Sequence, residues 1–195
     1  MNGNKIIIET KRLFIKAIQP INAKTVYKYR IDPRVNKYQN WESVSYESIL
    51  KFINDNLDTE FNSPDKWKQF GIYTKDKDFL VGDIGLHFLN PQNSIVEIGF
   101  TISHENQGFG FGSEAVKSII YYLFRVLKKH RIFASVDPQN NKSISLLKRV
   151  GLNQEAYLKK SLFIKENWVD DVIFALLNEE YQPNELEYKC YHIKQ

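Results

Sequence analysis

The sequence predicts a single mixed α/β domain, built on one mostly antiparallel central sheet that is flanked by helices. Short segments with the two-residue apolar alternation of strands occur among longer segments with the 3.6-residue period of helices. The chain has 195 residues, of which 43% are hydrophobic, enough for one domain with a sizeable core. No repeat, low-complexity segment or linker divides it. We therefore expect one domain over residues 1–181 and a C-terminal tail of uncertain order over residues 182–195.

The first half of the chain is predicted to begin with a strand near residues 6–17, followed by two helices. These helices are expected near residues 21–29 and 46–57, with Ser45 as the N-cap of the second, because a serine hydroxyl can accept a hydrogen bond from the first helical turn. Polar turns then divide an apolar region into an antiparallel meander. The turns lie at residues 75–78 and 90–93, and the strands near residues 67–74, 79–89 and 95–102.

The second half of the chain is predicted to begin with a long helix over residues 112–129. Its apolar residues recur at helical spacing and form one stripe of Val116, Ile119, Ile120, Leu123, Val126 and Leu127. The remaining elements are a strand at residues 131–136, a short helix at residues 143–150, and closing strands near residues 153–164 and 168–177.

Three glycines mark the point where the long helix begins. Gly108, Gly110 and Gly112 leave the backbone amides of this turn without side-chain cover. The first turn of a helix has N–H groups without internal partners and carries roughly half a positive charge. Such a turn attracts phosphate, so the glycines predict a phosphate-bearing ligand.

Two common nucleotide-binding loops do not fit this spacing. A Walker loop requires Lys and then Ser or Thr after its last glycine, but Gly112 is followed by Ser113 and Glu114. The dinucleotide fingerprint G-x-G-x-x-G would need its third glycine at Ser113 or at Ala115. The ligand is therefore expected to be something other than a nucleotide held by either loop.

Four sequence blocks resemble the GCN5-related N-acetyltransferase (GNAT) superfamily, between about residue 9 and residue 181. Gln107-x-x-Gly110-x-Gly112 is similar to the family's acyl-CoA pyrophosphate loop, and Asn140-x-x-Ser143 with Gly151-Leu152 is similar to a helix start with its closing Gly-Phe pair. Trp168-x-Asp170 and Thr10-Lys11-Arg12-Leu13 are similar to the last and the first strand, respectively, of the branch that includes ribosomal-protein N-terminal acetyltransferases. The resemblance implies the acyl-CoA N-acyltransferase fold, with acetyl-CoA as co-substrate.

The resemblance also implies which residues contact CoA. The amides of residues 108–113 would hold the pyrophosphate, and the edge of the strand at residues 100–102 would pair with the amides of the pantetheine arm. The alternative is a helix-start turn whose glycines are kept for packing. Phe109 departs from the basic or small residue often found there in the family. The residues implied for CoA are Phe100, Thr101, Ile102, Gln107, Gly108, Phe109, Gly110, Phe111, Gly112, Ser113 and Asn140.

Two residues are candidates for the acetyl-transfer chemistry. Glu97 lies among apolar neighbours in a predicted strand, where a carboxylate is costly unless water or a partner reaches it, so it is the leading base, acting through water. Its alternative is a structural carboxylate paired with an arginine. Many GNAT enzymes place an acidic tyrosine where this chain has Leu147, and the resemblance then assigns the leaving thiolate to Ser143. The alternative for Ser143 is the N-cap of the helix at residues 143–150.

The acceptor is expected to be a primary amine, with a protein N-terminal amine, a polyamine and an aminoglycoside all compatible with the scaffold. Acceptor recognition is expected within residues 26–65, and Asp83 and His87 are reserve candidates for the acceptor pocket because they share one face of a strand. A non-catalytic acyl-CoA-binding module is the alternative from another class. The aromatics of that region could wall a pocket or pack the first two helices: Tyr27, Tyr29, Tyr38, Trp41 and Tyr46.

Composition and charge exclude several other classes. The net charge of +4 is mild, so we expect no nucleic-acid partner. The start of the chain has no signal-like apolar region and no apolar run is long enough to cross a bilayer, so a cytoplasmic protein without a membrane partner is expected. Cys190 is the only cysteine and the four histidines lack metal-ligand spacing, so no metal is expected. The oligomeric state is left open, with a homodimer as one option.

Overall fold

The computed structural model describes residues 5–41, 44–90, 94–183 and 189–193. Within these ranges the chain forms nine strands and five α-helices. In chain order they are β1 (Lys5–Glu9), β2 (Leu13–Ala17), α1 (Ala23–Ile31), α2 (Pro33–Asn36), α3 (Tyr46–Asp58), β3 (Lys66–Thr74), β4 (Leu80–Asn90), β5 (Ile95–Ile102), α4 (Phe111–Tyr121), β6 (Arg131–Val136), α5 (Asn141–Arg149), β7 (Asn153–Ile164), β8 (Asn167–Leu177) and β9 (Lys189–Ile193). In these ranges no helix is long and apolar enough to cross a membrane.

All the strands of the described residues belong to one sheet, in the order β7-β8-β6-β5-β4-β3-β2-β1-β9. Its neighbours are antiparallel except for β5 and β6, which run parallel. The predicted fold class, a mixed and mostly antiparallel sheet with helices against it, is confirmed. The parallel pairing is short, since it joins only residues 95–97 of β5 to residues 131–133 of β6. Beyond these residues β5 continues along β4 while β6 continues along β8, so a cleft opens between them.

The two faces of the sheet are covered by different helices. On one face α4 and α5 bury residues such as Ile119 and Leu147 against Val96 and Ile98 of β5. Because strand side chains alternate between faces, Glu97 and Gly99 lie on the opposite face. On that face α1 and α3 form a second buried cluster, which includes Ile53. The helices α4 and α5 therefore pack beside the cleft on one face, while α1 and α3 pack on the other face of the sheet.

The strand predicted over residues 6–17 is instead the hairpin β1–β2. Thr10 makes the turn: its amide donates to the Leu13 carbonyl (2.9 Å) and its hydroxyl oxygen accepts from the Leu13 amide (2.9 Å). These side-chain contacts close the turn without glycine or proline, so the apolar pattern alone did not reveal it. The short helix α2 was also missed, although Asp32 and Pro33 form a helix start in which the Asp32 carboxylate accepts from the Arg34 amide (2.9 Å).

Three further differences concern element ends. The helix predicted to reach residue 129 ends as α-helix at Tyr121 and continues as a π-helical turn, Tyr122–Val126. Helix α5 begins at Asn141, two residues before the predicted start. The segment expected to be a tail contributes β9, which pairs with β1 at the edge of the sheet. The predicted turn at residues 90–93 lies outside the described residues, apart from Asn90.

The predicted N-cap of α3 is present. The Ser45 hydroxyl oxygen accepts from the Ser48 amide (3.1 Å), and the Ser48 hydroxyl oxygen accepts in return from the Ser45 amide (3.0 Å). These reciprocal bonds set the start of the helix that covers the face on which Glu97 lies.

Glycine at position 82 is required by the close approach of β4 and β5. A Cβ there would lie 2.1 Å from the Thr101 carbonyl oxygen, a backbone atom that cannot move aside without breaking the strand pairing. We expect Gly82→Ala to lower the free energy of unfolding by at least about 2 kcal/mol, measured by urea denaturation. Gly99→Ala, whose Cβ would make an ordinary 3.5 Å contact with Trp67, is the matched control. Equal stability of the two variants would contradict this account of the sheet.

Candidate active site

The cleft between β5 and β6 contains a cavity of about 290 Å³. Its walls come from β5, β6 and α5, and the segment after α2 and the β7–β8 hairpin complete the lining. The lining residues are Lys37, Tyr38, Gln39, Ile98, Gly99, Phe100, Ala134, Ser135, Val136, Asp137, Asn140, Ser143, Leu147, Leu162, Ile164, Lys165, Asn167, Val169 and Asp170. Phe100, Asn140 and Ser143, three of the residues implied for CoA binding or catalysis, thus share one cavity.

The glycine loop joins β5 to α4. Gly108 and Gly110 have positive φ angles of 87° and 81°, a backbone conformation that residues other than glycine rarely adopt. Gly110 is the N-cap of α4, since its carbonyl accepts from the Glu114 amide (3.1 Å). A Cβ at Gly108 would meet no atom within 4 Å, so this part of the backbone is open to a ligand. α4 begins at Phe111, one residue before the predicted start.

Gly112 has a different role from Gly108 and Gly110. A Cβ there would lie 2.9 Å from Leu146 Cδ1 and 3.4 Å from Ile102 Cγ1. The missing side chain allows α4, α5 and the end of β5 to pack together. Gly112 therefore fits the alternative in which a glycine of this turn is kept for packing, whereas Gly108 and Gly110 lie in the exposed part of the loop.

An arginine from the β1–β2 turn is fixed against the glycine loop. Arg12 Nη1 donates to the Phe109 carbonyl (2.9 Å), and Arg12 Nε pairs with Glu114 Oε2 (2.7 Å). Its guanidinium lies 4.9 Å from the centre of the Phe111 ring, and a Cβ at Gly110 would be 3.3 Å from its Nη2. Phe109 itself is 62% exposed. A cation thus lies at the loop even though position 109 is not basic.

Two cations of α5 border the other side of the loop. Lys142 Nζ donates to Gln107 Oε1 (3.0 Å), and Arg149 Nη1 donates to Ser113 Oγ (3.1 Å). Gln107 also donates through Nε2 to the carbonyl of Ile102 (3.1 Å), which connects the loop to the end of β5. Sequence reasoning did not single out these cations, because nothing local shows that α5 packs beside the loop.

Glu97 projects from β5 toward the face covered by α1 and α3. Its Oε2 lies 3.1 Å from His87 Nδ1, and the His87 ring is stacked on Trp67 with a centroid distance of 5.0 Å and an interplanar angle of 18°. Both side chains remain partly exposed, 23% for Glu97 and 19% for His87. The partner of this carboxylate is thus a histidine, and the expected arginine alternative is not what the structure records. Glu97 is two residues from Gly99, which lines the cavity.

Asn140 and Ser143 lie where α5 meets the cavity. The Asn140 side chain accepts from the Ser143 amide (3.2 Å), so Asn140 is the N-cap of α5. The alternative of Ser143 as N-cap is therefore wrong, because α5 already begins at Asn141. Leu147 also lines the cavity and is buried, so the position that resembles the family's tyrosine presents only an apolar side chain.

Asp83, a reserve candidate for the acceptor pocket, is a buried anchor for α1. Its carboxylate accepts from the Tyr29 hydroxyl and from Gln69 Nε2 (2.5 Å), and Arg30 Nη2 lies 3.9 Å away. Burial and the adjacent carboxylate raise the pKa of Tyr29. The Arg30 guanidinium also lies over Trp41, at 4.6 Å from the ring centre. These contacts favour a packing role for Tyr29 and Trp41. They also give Asp83 partners different from those of His87.

Tyr38 and Lys165 join the two sides of the cleft. The Tyr38 hydroxyl donates to the Gln139 carbonyl (3.3 Å), and Lys165 Nζ donates to the Asn36 carbonyl (2.8 Å). Of the aromatics noted in the sequence, Tyr38 alone lines the cavity, whereas Tyr27 and Tyr46 contact each other edge to face at 6.2 Å. The segment after α1 therefore forms part of the cavity wall.

A sheet that opens between two parallel strands, with a glycine loop leading from one of them into a helix, defines an acyl-CoA-type N-acyltransferase scaffold. The family model described as Acetyltransferase (GNAT) domain matches residues 12–153. The chain therefore belongs to the GNAT family of acetyltransferases. It is an N-acetyltransferase by family.

Curated relatives cover nearly the whole chain. An uncharacterized N-acetyltransferase, p20, of Bacillus licheniformis is 33% identical over 88% of this chain and 96% of its own length. The ribosomal protein uS5 alanine N-acetyltransferase of Escherichia coli is 28% identical over 93% of this chain and 96% of its own length.

Solved structures show the same fold. A GNAT acetyltransferase of Bacillus anthracis matches with a TM-score of 0.81 and 28% identity, covering 89% of this chain and 99% of that one. The spermidine N-acetyltransferase of Vibrio cholerae, in complex with CoA and spermine, matches in fold with a TM-score of 0.74 and 20% identity, covering 86% and 96%.

The ion pair beside the loop predicts a pH-dependent contribution to stability. Burial raises the pKa of Glu114, but hydrogen bonds from Thr10 and Arg12 outweigh it and hold that pKa below its ordinary value. A carboxyl group whose pKa is lowered on folding contributes stability above its unfolded pKa and loses it as the pH falls through the folded pKa. We expect Glu114→Gln to be less stable than wild type at pH 7 and equally stable well below about pH 4, measured by urea denaturation across pH.

The control for this prediction is Glu60→Gln, which changes an exposed carboxylate. It should stay close to wild type at every pH. A stability difference for Glu114→Gln that did not shrink on acidification would contradict the role of the ionised carboxylate.

Proposed function

We propose that this protein transfers the acetyl group of acetyl-CoA directly to a primary amine, with a protein N-terminal amine as the preferred acceptor. The observation that carries the proposal is that β5, beyond its pairing with β6, runs from the cavity that contains Asn140 and Ser143 to the glycine loop at the start of α4. Acetyl-CoA has a pyrophosphate, an amide-bearing arm and a thioester, and each part finds suitable groups between the loop and the cavity.

The donor is proposed to bind with its pyrophosphate at the glycine loop. The backbone of residues 108–113, open at Gly108, lies at the N-terminus of an eleven-residue helix, where amides and the helix dipole attract phosphate. Arg12 adds a fixed guanidinium, which suits phosphate oxygens and offsets the loss of a basic residue at Phe109. Backbone groups of residues 100–102 would pair with the pantetheine amides where β6 has left β5, and Asn140 would contact the arm near the thioester.

The reaction is aminolysis of a thioester. The amine nitrogen attacks the carbonyl carbon, its proton passes through water to Glu97, the C–N bond forms and the C–S bond breaks. The departing thiolate accepts a hydrogen bond from Ser143 and is then protonated from solvent, because free thiols have a pKa near 8.5. Glu97 returns its proton to solvent, so one proton is released and one is taken up. No covalent enzyme intermediate and no metal is required. Leu147 offers no proton, so Ser143 is the hydroxyl of α5 proposed for the leaving sulfur.

An N-terminal α-amine suits this site better than a polyamine or an aminoglycoside. At pH 7 roughly 10% of an α-amine with a pKa near 8 is neutral, against about 0.04% of a lysine side chain. The charged residues of the cavity lining are Lys37, Lys165, Asp137 and Asp170, so its two positive and two negative charges cancel. A polycation would gain no net attraction from them. The uS5 alanine N-acetyltransferase among the relatives supports the same choice. The cytoplasmic location stays a prediction, and the oligomeric state stays open, with a homodimer as one option.

The function is tested by thiol release from acetyl-CoA with a panel of acceptors. We expect turnover with peptides that begin with Ala or Ser, and much less with spermidine, an aminoglycoside or the same peptides blocked at the N-terminus. Turnover with spermidine alone would overturn the choice of acceptor. If no amine raised thiol release above hydrolysis while calorimetry showed CoA binding, the chain would be a non-catalytic CoA-binding module.

The phosphate loop is tested by Gly110→Ala, with Gly151→Ala as its matched control. Both glycines have positive φ, 81° at Gly110 and 100° at Gly151, so both substitutions strain the backbone similarly. Only Gly110 lies in the loop. We expect Gly110→Ala to weaken CoA binding at least about tenfold in calorimetry, which corresponds to ~1.4 kcal/mol, and Gly151→Ala to leave it unchanged. Equal affinities would refute the assignment of the loop to phosphate.

A further inference from the structure

Three side chains lie in one row across the sheet, on the face that bears Glu97. Trp67 of β3 is the direct register partner of His87 of β4, and His87 is the direct register partner of Glu97 of β5. The indole stacks on the imidazole and the imidazole Nδ1 contacts one carboxylate oxygen, Oε2. Because direct cross-strand neighbours on one face are in contact, the three side chains form one continuous unit.

Gly85, in the adjacent row, lets the tryptophan lie across the sheet. Gly85 and Gly99 are register partners on β4 and β5. A Cβ at Gly85 would lie 2.9 Å from Trp67 Cε3, and a Cβ at Gly99 would lie 3.5 Å from its Cζ3. The six-membered ring therefore extends from β3 over β4 toward β5, beside His87. It reaches Gly99, which lines the cavity.

We propose that His87 is a positioning residue for Glu97, and that Trp67 holds His87 in place. The proposal rests on the proposed function, in which Glu97 is the base. A glutamate side chain has several rotamers, and the contact with His87 selects the one in which Oε2 is held while Oε1 is left for the water that receives the amine proton. Stacking on Trp67 restrains the imidazole in turn, and Gly85 provides the room that this stacking requires.

The arrangement explains three residues together that the sequence pattern does not connect. Gly85 follows no capping or turn rule, and Trp67 is a large apolar side chain left 44% exposed. A purely structural sheet would gain more from apolar side chains at the positions of Gly85 and His87. Support of a carboxylate that has to keep one orientation accounts for His87, Gly85 and Trp67.

The proposal is tested by a double-mutant cycle on acetyl transfer. In the wild-type background we expect His87→Leu to lower kcat by up to about 100-fold, with the KM for acetyl-CoA unchanged, since a base displaced by about 1 Å can lose that much. His87→Asn should recover most of the loss, because its side-chain amide can donate near the position of Nδ1. In the Glu97→Gln background His87→Leu should cost nothing further. Glu155→Gln, at a carboxylate paired with Arg131, is the control substitution.

Several outcomes would overturn the proposal. They are an unchanged kcat for His87→Leu, a loss that His87→Asn does not recover, or a loss that multiplies fully with that of Glu97→Gln. If His87→Leu does not fold, Trp67→Leu makes the same comparison, with a smaller expected loss that again vanishes in the Glu97→Gln background. A full rate for Glu97→Gln alone, equal to that of Glu155→Gln, would instead reject the base role within the proposed function.

Discussion

The separation of β5 from β6 after three residue pairs is the constraint on which the rest of the site depends. Backbone groups in a sheet need hydrogen-bond partners, and a strand edge that loses its neighbour inside the molecule must find another. Here β4 keeps one edge of β5 satisfied and β8 keeps β6 in place, so the gap persists without collapse of the sheet. The cavity occupies this gap and is lined by β5, β6 and α5, together with the segment after α2 and the β7–β8 hairpin.

A second constraint connects the glycine loop to the distant start of the chain. Glu114 lies in the first turn of α4, where a carboxylate is favoured by the helix dipole. Its carboxylate accepts hydrogen bonds from Thr10 and Arg12 of the β1–β2 turn. The β1–β2 hairpin, whose turn the sequence pattern did not reveal, therefore has a structural role at the glycine loop. It holds a guanidinium at a loop whose own sequence supplies an exposed phenylalanine instead of a cation.

The sequence predicted most of the strands from their apolar segments and from the polar turns between them, and β5, β6 and β7 begin and end at the predicted residues. It located the glycine loop because the spacing is local. It could not predict contacts that depend on packing between distant segments: Arg12 reaches Phe109 across 97 positions, and the pairing of His87 with Glu97 depends on the register of two strands. Side-chain turns such as that of Thr10, and the single turn of α2, left too little pattern to detect.

Trp67 gives the molecule an internal optical probe. The fluorescence emission of an indole stacked on an imidazole responds to the charge, hydration and orientation of the imidazole. The imidazole of His87 in turn contacts the Glu97 carboxylate. The chain has three tryptophans, and the other two, Trp41 and Trp168, contact different groups, an arginine and a phenylalanine. Under the proposed function, an acceptor that binds near Glu97 would therefore alter the fluorescence of this one indole, and its binding could be followed in real time without a label.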